Sequence, residues 1–155
     1  MSVSNFMQKA LEEAKKAMAL SEIPVGAVIV MDGKIIATAH NEVESTHDAT
    51  AHAEILAIKR AGKKLGTWRL NGAQMFVTLE PCTMCIGAII SARVSELYFG
   101  CYDARLGAVG SRYNIADTLT GEYANENNCL KVYPEILKDE STELLKEFFK
   151  NCRCK

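Results

Sequence analysis

Ala73-Gln74-Met75-Phe76-Val77-Thr78-Leu79-Glu80-Pro81-Cys82-Thr83-Met84-Cys85-Ile86-Gly87-Ala88-Ile89-Ile90 steps from a strand into a helix, and that step decides the fold. Ala73 to Leu79 is a short apolar run that reads as a strand. Pro81 is suited to the first turn of a helix, which the pattern carries to about Ala92. Val94 to Phe99 then reads as the next strand.

Upstream, Phe6, Ala10, Leu11, Ala14, Ala17 and Met18 recur at helical spacing and predict a helix over 4–20. Val25 to Met31 and Lys34 to Ala39 are two strand-like runs separated by Asp32-Gly33, a strong hairpin signal. Residues 41–51 are polar and read as a loop. Ala51 to Ala61 favours a helix, with Gly62 as its expected stop.

Downstream, Cys101 to Asn128 reads as mostly irregular with one short helix. Leu130 to Ile136 reads as an edge strand, because Pro134 cannot donate to a central ladder. A helix over Glu140 to Lys150 follows, ending in Phe148-Phe149. A hairpin followed by strand–helix alternation predicts a mixed sheet with helices on both faces, and ligands bind such sheets at the strand ends.

A chain of 155 residues suits one domain over 1–155, and no repeat, low-complexity tract or linker divides it. Ser2 to Met18 mixes charge with apolar residues and does not resemble a signal peptide. No apolar run approaches the roughly 20 residues needed to span a membrane. The expected location is the cytoplasm, where six cysteines point to reduced thiols and metal binding.

The net charge of −1 gives no global attraction to nucleic acid. Locally, eight basic residues face three acidic ones between Lys59 and Ile115, and the balance reverses from Ala116 to Glu147. A solvated surface is the ordinary reading of such scattered charge.

Two clusters carry chemistry. His52-Ala53-Glu54 opens the second long helix, and Pro81-Cys82-Thr83-Met84-Cys85 opens the third. Two cysteines three apart at a helix start can turn both sulfurs toward one ion, and the positive helix end favours thiolates. With one imidazole they make three protein ligands, the count of a catalytic zinc that keeps a position for water. A fourth ligand for a closed structural site could come from Cys101, Cys129, Cys152, Cys154, His40 or His47. Glu54 speaks for the catalytic reading, as a carboxylate placed to move protons beside the ion.

The H-x-E and P-C-x-x-C pair is a mark of zinc nucleobase deaminases. Thr78 to Ile90, Tyr98 to Arg105, Gly107 to Ser111, Ile23 to Ala27, Asn41 and His47 to Glu54 together resemble the tRNA-specific adenosine deaminase family. The metal motif is common to the whole cytidine deaminase-like superfamily, and the Asp103 to Ser111 loop points to this branch. The resemblance implies a three-layer α/β/α cytidine deaminase-like fold with a mixed five-stranded sheet.

It also implies hydrolytic conversion of adenosine to inosine at wobble position 34 of a tRNA anticodon, by a homodimer with one Zn²⁺ per subunit. His52, Cys82 and Cys85 would be its ligands and Glu54 the proton shuttle. Asn41 and the Ala53 backbone would read the base, and Val25 would wall it. Asp103 and Arg105 would lie near the RNA backbone.

Plainer roles stand beside these: Asn41 as a turn residue, Val25 as core, Asp103 as a turn cap and Arg105 as a solvated charge. Trp68 reads as a packing residue, and Ile86 to Ile90 as core or dimer interface. The loop 42–46 is acidic where the family is more often basic or neutral, and the tail ends in Cys152-Arg153-Cys154.

Overall fold

The computed structural model describes residues 1–117 and 129–153. Helix α1 (Val3–Ala19) is capped by Ser2, whose side chain accepts from the Asn5 N–H. Strands β1 (Gly26–Met31) and β2 (Lys34–His40) form the expected hairpin. Then come the one-turn helix α2 (Val43–Thr46), helix α3 (Ala53–Leu65), strand β3 (Gln74–Leu79) and helix α4 (Thr83–Ser91). Strand β4 (Glu96–Cys101), strand β5 (Lys131–Tyr133) and helix α5 (Lys138–Arg153) complete the order.

The sheet runs β2-β1-β3-β4-β5. β1 is antiparallel to both neighbours, whereas β3, β4 and β5 are parallel, so the sheet is mixed as expected. Alternating side chains of β1 enter opposite layers, which is why the strand reads as one continuous apolar run. Ala27 and Ile29 pack with Ala53, Ala57 and Ala61 of α3 and with Ile86 and Ile89 of α4. Val28 and Val30 pack on the other face with Phe6, Met7 and Ala10 of α1, beside Phe76 and Tyr98. Leu144 of α5 joins Leu11 and Ala14 of α1 on that same side.

Several boundaries differ from the sequence reading. α3 continues through Gly62 to Leu65 and ends at Gly66, which takes the left-handed φ of 68° and bonds back to Gly62 O. A glycine inside a helix costs only about 1 kcal/mol, so packing of the apolar face carries the helix past it. The polar 41–51 segment contains α2, whose Glu44 and Ser45 N–H groups find an acceptor in distant Glu22. β4 lies two residues later than expected because Cys101 pairs with Leu79, while Val94 bonds back to α4. β5 is at the edge, and it stops before Pro134.

From Cys101 the chain is turn-rich as expected, and a helical turn starts at Ile115. Residues 118–128 of that segment lie outside the described residues, as do Cys154 and Lys155 of the tail. Among the described residues, no helix is long and apolar enough to cross a membrane.

Gly26 sets the approach of α1 to the sheet. A Cβ there would fall on Ala10 O, Ala14 N and the Glu13 side chain, so α1 would have to move off β1. Gly26→Ala is expected to destabilise the protein by about 2–3 kcal/mol, read from the urea unfolding midpoint. An unchanged midpoint would mean that α1 is not seated on β1 at this point.

Candidate active site

Three chain segments meet at the carboxyl ends of β3 and β4. His52 is the N-cap of α3 (φ −71°, ψ 152°) and Cys82 the N-cap of α4 (φ −75°, ψ 176°). The His52 side chain makes no bond to α3, and the Cys82 thiol makes its contacts with Cys85 and His52. Cys85, one turn into α4, is buried behind them.

His52 Nδ1 lies 3.7 Å from Cys82 Sγ and 3.4 Å from Cys85 Sγ, and all three donor atoms fall within 4.8 Å of one another. A tetrahedral zinc with ordinary bond lengths would hold a nitrogen and a sulfur about 3.5 Å apart. The donor set and its spacing therefore fit zinc.

This is the one such His/Cys/Asp/Glu group among the described residues. Of the other candidate ligands, Cys101 is buried with its thiol on Thr78 O, and His40 Nδ1 is 3.0 Å from Glu13. Cys129 and Cys152 are exposed elsewhere, as is His47.

The electrostatics suit a cation. The hydrogen bond from Cys85 holds the Cys82 thiol down at about 4 against its burial, with His52 adding to the effect. The Cys85 thiol is pushed up by donating to Cys82, and then by burial and the nearby Glu54 charge. Contact with Cys82 raises His52, although burial opposes it. Burial pushes the Glu54 carboxyl up to about 7.

His52, Glu54 and Cys82 line a cleft of about 800 Å³. Its wall includes Val25, Asn41, His52, Ala53, Glu54, Cys82, Asp103 and Arg105, so every expected site residue except buried Cys85 reaches it. Asn41 donates through Nδ2 to Glu22 Oε2 at 3.4 Å, and its backbone N–H bonds to Val25 O. Asp103 also caps its own turn, accepting from Arg105 N–H at 3.0 Å and Leu106 N–H at 3.4 Å. The Arg105 guanidinium lies 5.8 Å from the centre of the Phe149 ring, so this charge is not simply solvated.

The sequence reading missed three parts of the site. Glu22 and Glu80 line the cleft with 1% and 2% of their surface exposed, each held by backbone donors from a distant loop. Phe148 and Phe149 were legible only as the end of a helix, and they line one side of the cleft. Trp68, expected to be a packing residue, packs at the surface. It is 54% exposed, with Arg69 and Arg93 guanidinium groups 4.4 and 5.3 Å from its ring, because it follows the end of α3 outside the core.

Metal ligation requires thiolates, and Cys85 is held protonated by its neighbours in the metal-free site. Zinc uptake is therefore expected to release at least the Cys85 proton near pH 7, together with whatever share of His52 is protonated, with affinity rising as pH rises. Calorimetric titration in two buffers of different ionisation enthalpy reads that release directly. Uptake without proton release would mean that Cys85 is not a ligand.

Residues 1–101 match the family described as the cytidine and deoxycytidylate deaminase zinc-binding region. The tRNA-specific adenosine deaminase of Aquifex aeolicus is 46% identical over 148 residues, covering 96% of this chain and 94% of that protein. A solved structure from a study of A-to-I editing by tRNA:A34 deaminases superposes with a TM-score of 0.84. It is 42% identical, and the match covers 92% of this chain and 99% of that one. A guanine deaminase from Nitrosomonas europaea also superposes, with a TM-score of 0.80 at 25% identity over 95% of this chain and 84% of its own. With the metal motif, the cleft and the near full-length match in agreement, the chain belongs to the tRNA-specific adenosine deaminase family, in the zinc-dependent cytidine deaminase-like superfamily.

Proposed function

We propose that the chain works as one zinc-dependent deaminase domain that converts adenosine to inosine at wobble position 34 of a tRNA anticodon. The observation that carries this reading is the His52, Cys82 and Cys85 triad beside buried Glu54, at the floor of a cleft walled by the Asp103 loop. The cytoplasm, where tRNA is used, is the proposed location.

His52, Cys82 and Cys85 hold one zinc per subunit. When bound, the ion acts as a Lewis acid that lowers the pKa of water toward neutrality. The overall reaction adds water at C6 of adenine, breaks the exocyclic C–N bond and releases ammonia. Glu54 takes a proton from water and returns one to the departing nitrogen, a task suited to a carboxyl held near neutrality. Burial keeps bulk water from competing for that proton. Asn41 and the Ala53 N–H read the base edge, and Val25 packs against its face. Asp103 and Arg105 meet the RNA backbone at the cleft mouth.

Glu54→Gln tests the proton role. Zinc content is expected to stay at wild-type level while deamination of an anticodon stem-loop with A at the wobble position falls by ~10²-fold or more. Wild-type enzyme should act on that stem-loop and hardly at all on free adenosine, cytidine or guanine, since flanking nucleotides supply binding energy. Efficient turnover of guanine with no inosine in the stem-loop would assign the chain to free-base deamination instead.

A homodimer through α4 is part of this reading. Met84 and Ser91 are exposed and Gly87 and Ala88 half-buried on one side of this apolar helix, and a Cβ on Gly87 would meet nothing within 4 Å. Small residues on an exposed apolar face suit close packing against a second copy. Gly87→Arg is expected to give a folded monomer by analytical ultracentrifugation, with an unchanged circular dichroism spectrum. A variant that remains dimeric would put the interface elsewhere.

A further inference from the structure

The loop after β4 carries Asp103 and Arg105 to the cleft, and what docks it to the body is a carboxylate to which no role has been given. Glu80 sits between the last residue of β3 and the Pro81-Cys82 turn, buried to 2% exposure. Its Oε1 accepts from Val109 N–H at 3.0 Å and Ser111 N–H at 2.9 Å. Its Oε2 accepts from Asp103 N–H at 2.8 Å and from the Ser111 hydroxyl. One side chain thus ties both ends of the 103–111 loop to the segment that holds Cys82.

Neighbouring contacts fit the same purpose. Glu80 N–H bonds to Cys101 O, Ala108 N–H bonds to Pro81 O, and Cys82 and Gly107 form an isolated bridge. Gly107 leaves room for the carboxylate, since a Cβ there would fall on Glu80 Oε2. The Asp103 side chain shapes its turn by accepting from Arg105 and Leu106 N–H groups. That bond sets the turn's internal form and does not fix where the turn sits.

We propose that Glu80 is a positioning residue for substrate: its Oε2 docks the Asp103 turn, and so aims Arg105, relative to the metal-binding turn. The inference rests on the reading of Arg105 as an RNA-backbone contact.

Glutamine at position 80 separates the two ends of the loop. Its amide offers one acceptor oxygen and one NH₂ donor. If NH₂ replaces Oε1, it faces two backbone N–H groups, neither of which can turn away. If it replaces Oε2, the Ser111 hydroxyl can rotate to accept, and only Asp103 N–H loses its acceptor. The second placement costs less, because it leaves one unsatisfied donor instead of two. Glu80→Gln therefore releases the Asp103 end and keeps the Val109–Ser111 end.

Hydrogen exchange on the full zinc-loaded protein reads this without substrate. In Glu80→Gln the Asp103 amide is expected to exchange roughly tenfold faster, with Val109 and Ser111 within about twofold of wild type. With the stem-loop substrate, KM should rise roughly tenfold while kcat stays within about twofold and zinc content is unchanged. Adding Glu80→Gln to Arg105→Ala should cost little beyond Arg105→Ala alone, because both act through one contact.

Should Glu80→Gln fail to fold, Glu80→Asp keeps both acceptors but draws them back by one methylene. It should speed Asp103 exchange in the same direction. Uniformly faster exchange in Glu80→Gln, an unchanged Asp103 amide in either variant, or full additivity with Arg105→Ala would overturn the proposal. A wild-type enzyme inert on every stem-loop would instead sink the RNA reading and leave the exchange result standing on its own.

Discussion

Two helix N-termini must converge on one point, and the rest of the molecule is arranged so that they can. His52 and Cys82 occupy N-cap positions, where a side-chain oxygen ordinarily satisfies the first N–H groups of the helix. His52 forgoes that cap, at a cost of about 1 kcal/mol, and Cys82 places a sulfur there instead, in contact with Cys85 and His52. The positive ends of α3 and α4 then face a pair of thiols, which favours the thiolate form an ion needs. Such convergence is possible only if α3 and α4 lie on the same face of the sheet. The alanines of α3 and the isoleucines of α4 secure that, by sharing one core with β1 and β3.

Much of this was legible before the coordinates. Apolar runs and period-3.6 patterns located every strand and all four of the longer helices among the described residues, because each element buries a face against the sheet. Pro134 placed β5 at an edge, since a residue without an N–H cannot sit in a central ladder. Donor chemistry and spacing picked out His52, Cys82, Cys85 and Glu54. Boundaries were legible less well wherever tertiary packing outvoted a local signal. Gly62 looks like a stop, but the face it sits behind is buried enough to carry α3 onward to Gly66.

What escaped the sequence was long-range hydrogen bonding. Glu22 and Glu80 look like ordinary surface acids in a chain that is nearly a quarter charged, yet both are buried and fully engaged. Their donors are backbone N–H groups of α2 and of the 103–111 loop, about 20 to 30 residues away, and backbone groups leave no trace in a sequence pattern. Trp68 packs as read, but at the surface. An indole is expected inside, but an exposed one can be held by cations over its faces, as Arg69 and Arg93 hold this one.

The buried carboxylates also clarify how a nearly neutral chain can present a site to a polyanion. Five acids line the cleft (Glu22, Glu44, Glu54, Glu80 and Asp103), and an open cleft with five negative charges would repel phosphate. Glu22 and Glu80 instead direct their oxygens at backbone N–H groups of the protein itself, so much of their charge is offset locally by those dipoles. Burial holds Glu54 near neutrality. Asp103 turns its carboxylate inward, onto the N–H groups of its own turn. On the side of the Asp103 turn the charge facing outward is Arg105, exposed above Phe149, whereas exposed Glu44 faces the cleft from α2. Attraction to phosphate in this protein is thus a matter of which charges are already spent on internal donors, and the net charge of −1 carries almost no information about it.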